Sequence, residues 1–197
     1  MIRFAASLAL VLMAMPATAA DPKPGVKTSE SGGIGSQPAT VAEILNGVSD
    51  CVAAVHQHGK VDFDKLEASG WQFAGKQQGK VSAGSASIPT TQLFFGKENV
   101  IQLIQMTGVS ASCQTIALVT DGESAEKLVR TGLTERFGAV AASDYKGDEA
   151  FKASIDKLTP GSLAHTMIND TNRFGVVSMS KNGKSIINIT MTPKITD

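Results

Sequence analysis

Metal centres and acid–base sites are built mostly from histidine, cysteine and grouped carboxylates. The chain has three histidines, His56, His58 and His165, and two cysteines, Cys51 and Cys113, in 197 residues. His56 and His58 are two apart, so on a helix they do not share a face. They fall in what reads as the last turn of a helix, where a cation complements the dipole. His165 lies in a distant segment that reads as strand, and only the fold can bring it to a partner. Asp62-Phe63-Asp64 matches the start of a calcium loop, but the third ligand position and the glycine at the sixth place are missing. Asp144, Asp148 and Glu149 cluster near Tyr145, yet no second carboxylate-bearing element completes a glycosidase-type pair. No metal and no cofactor is expected.

Nucleophile motifs fare no better. The G-x-S-x-G elbow is absent. The S-x-x-K pattern recurs at Ser124/Lys127, Ser154/Lys157 and Ser178/Lys181, and its recurrence shows how cheap it is. Gly32-Gly33-Ile34-Gly35 lacks the lysine and the serine or threonine of a phosphate loop. Lys181, Lys184 and Lys194, with Arg173 nearby, suit a hairpin whose lysines protect a sheet edge. They also allow a docking surface for an acidic partner. No catalytic residue is assigned.

The two cysteines take their meaning from the N-terminus. Residues 1–19 read as a secretory signal peptide: Arg3 is the basic n-region, Phe4 to Met15 the apolar h-region, and Ala17-Thr18-Ala19 the cleavage site. A short, alanine-rich leader of this kind looks bacterial, which implies a periplasmic or secreted protein. In an oxidising compartment two cysteines form one disulfide, Cys51–Cys113, and a long closed loop makes it worth about 4 kcal/mol. Lysine plus arginine and aspartate plus glutamate each number 18. Loss of Arg3 with the leader leaves the mature chain near −1, which argues against steering toward nucleic acid. One Trp and one Tyr are too few for a base-stacking platform. After signal cleavage no stretch is long and apolar enough for a transmembrane helix.

These residues must be positioned by ordinary elements. Residues 20–39 are rich in Gly, Pro and Ser and read as a disordered linker with a reach of about 25 Å. Thr40–His58 reads as an amphipathic helix with a stripe of Val41, Ile44, Leu45, Val48, Val52 and Val55. Thr40 and Glu43 form a capping-box pattern, and Gly59 a stop. One or two helical turns follow in Val61–Gly70. Strands are expected at Trp71–Gly75, Lys80–Ser82, Thr91–Phe95, Val100–Met106 and Ala111–Thr120. In the last of these, Cys113, Ala117 and Val119 share the face assigned to the first helix. A second helix, Asp121–Phe137, would bury Ala125, Leu128, Val129, Leu133 and Phe137, and a short third would span Glu149–Leu158. The C-terminal part reads as strands Leu163–Ile168, Phe174–Ser180 and Lys184–Thr192, the last two joined by an Asn-Gly hairpin. Ile187, Ile189 and Met191 are expected to share a face with Val177 and Met179.

The fold class is therefore α+β: a mostly antiparallel sheet against an N-terminal helix and one or two central helices, in a single domain over residues 40–197 with one disulfide. At the level of element order alone this resembles small secretion-chaperone-like folds, and such an analogy carries no residue role. The expected function is a non-catalytic exported binding or interaction domain. Its partner would be a protein or a small apolar ligand held between sheet and helices. Two alternatives stand beside it. One is an exported enzyme with a site scattered over residues such as His165, Asp144 and Tyr145. The other is an inhibitor or immunity-type protein acting through a Gly-rich loop at Gly79–Pro89. The oligomeric state is not legible.

Overall fold

The computed structural model describes residues 37–83, 86–108, 110–142, 146–181 and 183–194. The first helix, α1 (Val41–Ala54), starts as its sequence dictates. The Glu43 backbone N–H donates to Thr40 Oγ1 at 3.2 Å, and the Thr40 backbone N–H donates to Glu43 Oε2 at 2.6 Å. Its apolar stripe buries Ile44, Leu45, Val48 and Cys51. The helix ends four residues earlier than its pattern predicts. Val55 is extended and bridges Val61, and the His56 N–H bonds Lys60 O, so the chain turns back through Gln57–Gly59. His56 and His58 therefore lie outside the helix, both exposed, with His58 in a left-handed conformation (φ 59°).

Next come α2 (Phe63–Ala68), β1 (Gln72–Ala83), β2 (Ala86–Lys97), β3 (Val100–Thr107) and β4 (Ser110–Val119). Then follow α3 (Gly122–Phe137), β5 (Val140–Ala141), α4 (Lys146–Leu158), β6 (Leu163–Ile168), β7 (Asn172–Lys181) and β8 (Lys184–Pro193). The strands form one antiparallel sheet in the order β1-β2-β3-β4-β8-β7-β6-β5, in a single α+β domain. Each half is a helix followed by a meander, and the halves meet where β4 pairs with β8.

Two expected short strands with a Gly-rich loop between them prove to be one long ribbon. Gly75 lies beside a bulge in β1 rather than at a break. The β1–β2 pairing runs on through Lys80↔Pro89 to Ala83↔Ala86, whereas β2 leaves β3 at Thr90↔Thr107. Pro89 is thus tolerated where β2 has a single neighbour and one side of its backbone owes no ladder bond.

The helices α1 and α3 lie on one face of the sheet. Beneath them sit Ile104, Cys113, Ile187, Ile189, Phe174 and Val176, all buried. The expected pairing of Ile187, Ile189 and Met191 with Val177 and Met179 is off by one residue. Lys181 pairs with Lys184, which sets Ile189 against Val176 and Met191 against Phe174. A one-residue slip moves every side chain to the other face. Val177 accordingly faces away, packing with Ala164 and Ile155 under α4.

Cys51 and Cys113 form the disulfide, with Cα atoms 5.8 Å apart, and tie α1 to the middle of the sheet. Two glycines let the helices come this close. A Cβ on Gly47 would lie 2.9 Å from Thr115 Cγ2. A Cβ on Gly132 would run into Leu45 Cδ1, where α3 crosses α1. Alanine at Gly132 gains about 1 kcal/mol of helix propensity, against a cost of about 1–3 kcal/mol for overfilling a packed core. We expect a net loss in urea melts. Adding Leu45→Ala should cost less in that background than in the wild type, because the clash disappears with the leucine side chain.

The α1 start should also respond to acid. The Thr40 backbone N–H, with its hydroxyl, holds the Glu43 carboxyl below its ordinary pKa. A carboxyl depressed on folding stabilises the fold above its unfolded pKa, and that contribution is lost as pH falls through the folded value. Thermal melts between about pH 5 and pH 3 should therefore drop less steeply for Glu43→Gln than for the wild type.

Candidate functional site

His165 is the one histidine that the fold delivers to a charged cluster. Its position on β6 faces α3, opposite Val176 on β7. There its Nε2 lies 3.4 Å from Glu126 Oε1. Glu126 is only 2 % exposed, and Arg130, one turn further along α3, grips it with Nε on Oε1 and Nη2 on Oε2 at 3.3 Å. A buried carboxylate needs such pairing. The helical stripe predicted Leu128 as buried at this turn; instead Leu128 is 54 % exposed and Glu126 takes the inward position. The i, i+4 spacing of Glu126 and Arg130 was the signal available for this pair. Chemically, a guanidinium bound to both carboxylate oxygens neutralises the group that would otherwise orient an imidazole as a base. The arrangement reads as a lock between α3 and β6.

The other sequence candidates are not brought to it. Asp144 and Tyr145 lie outside the described residues, as does the side chain of Asp148, and Glu149 is exposed on α4. Asp62 caps α2 by accepting the Lys65 N–H at 3.2 Å. Ser124 Oγ donates to Asp121 Oδ2 at the start of α3, and Ser178 Oγ donates to Gly122 O, so both hydroxyls serve local structure. Asp121 is held below its ordinary pKa, first by the Ser124 hydroxyl and then by backbone N–H groups, as an N-cap carboxylate should be. No group of three or more metal-ligating side chains occurs among the described residues.

Two clefts open on the surface. One, of about 460 Å³, is lined by Phe137, Val140, Asn169, Thr171 and Lys194 at the end of α3. A smaller one, of about 140 Å³, lies between α1 and the β2–β3 turn. At its floor Trp71 Nε1 donates to Asp50 Oδ2 at 2.8 Å, while Lys97 Nζ sits 3.5 Å from the same oxygen and 5.8 Å above the indole. That network fastens the start of β1 to α1.

A third feature is the sheet face turned away from α1 and α3. There β6 and β7 are covered by α4 through Ile155. Among the described residues no helix packs on the same face of β2, β3 and β4. Alternation along these strands places Phe94, Ile101, Leu103, Ile116 and Leu118 on it, continued on β8 by Ile186. The pairings Phe94↔Leu103, Ile101↔Ile116 and Leu118↔Ile186 join these residues, while the buried Gln114 and Asn188, hydrogen-bonded to each other at 3.2 Å, stand among them opposite Leu103 and Ile116. All six are half-buried, and none packs into either buried cluster. Ile116 and Leu118 are legible from the sequence as facing away from the cysteine; the patch as a whole is not, because it depends on the β3–β4–β8 register.

No protein-family model, curated protein or solved structure matches this chain. No helix among the described residues is long and apolar enough to cross a membrane.

Proposed function

We propose that this chain is an exported, non-catalytic interaction domain that binds a polypeptide through the uncovered face of β2, β3, β4 and β8. The observation that carries the reading is the group of half-buried apolar side chains on that face, over which no helix packs among the described residues. A contiguous apolar group left partly open to solvent is the kind of surface that marks a binding site. Export is supported by the leader pattern of residues 1–19 and by a buried disulfide, which persists in a periplasmic or extracellular setting. A polypeptide suits the patch better than a small apolar ligand between sheet and helices. That layer is filled by Ile44, Val48, Leu133, Ile104, Ile187 and Ile189, each fully buried.

In the enzyme reading His165 would act beside a carboxylate already held by Arg130. In the inhibitor reading Gly79–Pro89 would act as a paired ribbon whose residues 84 and 85 lie outside the described residues. Native mass spectrometry of gently purified protein should find an additional polypeptide mass on the wild type. That mass should be absent from a Leu103→Glu, Ile116→Glu variant of unchanged melting temperature. A bare wild type, or a bound mass that survives in the variant, would overturn the assignment of this face.

A further inference from the structure

The charge distribution on the uncovered face narrows the choice of occupant. On the outward side of β2, β3 and β4 there is no Asp, Glu, Lys or Arg, in a chain with 36 such residues. Beside the apolar patch runs a row of neutral polar side chains across four strands. Gln77 pairs with Gln92, Gln92 with Gln105, and Gln105 with Ser112. Gln92 Nε2 donates to Gln105 Oε1 at 3.4 Å, which leaves each amide with further hydrogen-bonding capacity.

We infer that the occupant of this face is a second copy of the same chain, packed sheet to sheet about a two-fold axis. The inference rests on the reading of the face as a binding surface and names its partner. In a two-fold contact each surface meets its own image, so charges near the axis meet like charges. With Lys184 at the end of β8 as the one charge on this side of β2, β3, β4 and β8, the face largely avoids that penalty. Carboxamides are self-complementary, because each both donates and accepts, so a glutamine row can bond to its symmetry mate while Leu103, Ile101 and Ile116 pack between the sheets. The whole chain is formally neutral, so net charge does not oppose self-association.

These four strands together with β1, which adds Gln77 to the row, present about 600 Å² in plan at about 4.8 Å spacing and about 25 Å length, which places a two-fold contact at the low end of specific interfaces, about 1,200 Å² in total. Within the chain, residues 20–36 carry Val26 and Ile34 as their only large aliphatic side chains, too few to cover the face.

Analytical ultracentrifugation of the purified mature chain over a dilution series tests this. The wild type should sediment as a dimer. Gln105→Glu should weaken the dimer about tenfold or more, as an uncompensated interface charge does. Leu103→Glu should weaken it further, and Leu128→Glu, on the helix side, should leave it unchanged. Circular dichroism checks that each variant is folded, and the near-isosteric Gln105→Glu keeps the test decisive if Leu103→Glu misfolds. A wild type that stays monomeric to about 100 µM, weaker than a standard interface allows, would overturn the second copy. So would a dimer indifferent to Gln105→Glu. In the first case, a different bound polypeptide still lost with Leu103→Glu, Ile116→Glu would leave the binding face standing and remove only its assigned partner.

Discussion

The double variant Cys51→Ala, Cys113→Ala should be about 4 kcal/mol less stable than the oxidised wild type. The bond spans 62 positions, and the chain-entropy model assigns a closed loop of that length about 4 kcal/mol of denatured-state restriction. At about 2–4 °C per kcal/mol for a domain of this size, the melting temperature should fall by about 10 °C or more. Both sulfurs are fully buried between α1 and β4, so alanine leaves a small void and takes from the buried Thr115 hydroxyl its contact with Cys51 Sγ at 3.6 Å. Differential scanning calorimetry with and without reductant provides the check. The reduced wild type and the double variant should melt close together, since both lack the cross-link. A variant as stable as the oxidised protein would show that the α1–sheet contact holds itself without the bond.

Arg130→Ala should be the next most damaging of the changes considered. It leaves Glu126, nearly inaccessible to water, with His165 at 3.4 Å as its remaining close cation. Breaking a buried pair by removing one member costs about 3–5 kcal/mol. Arg130 and His165 are each about one-third exposed, so solvent screens the pair and we expect about 2 kcal/mol. Urea denaturation measures this directly. Glu126→Gln combined with Arg130→Ala should recover part of the loss, because the buried carboxylate is then no longer left without its guanidinium.

Those two contacts show where the sequence is readable and where it is not. The disulfide, the capping box at Thr40 and the inward face of Cys113, Ala117 and Val119 follow from local periodicity and compartment, and each is realised. Glu126 does not follow from periodicity, because a hydrophobic stripe assigns the inward place to Leu128. The carboxylate wins it through two partners, one of them on a strand far along the chain. The β7–β8 faces slipped for a related reason. The Asn-Gly turn names the hairpin, but only the pairing of Lys181 with Lys184 says which residues share a side. The mid-helix glycines Gly47 and Gly132 looked like local costs and are contact points between layers. The end of α1 depends on the Val55–Val61 bridge, a contact across a turn that no helical pattern contains. The uncovered face is the least legible feature of all. It exists only once β3, β4 and β8 are set side by side.

Its role is open to one direct measurement. A photo-crosslinking amino acid placed at Leu103, in the cell that makes the protein, reports what touches the sheet face. The same probe at Lys127, exposed on α3, reports the helix side. The interaction-domain account predicts discrete crosslinked polypeptide species from position 103, and none at comparable yield from position 127. Equal labelling from both positions, or none from 103, would contradict it.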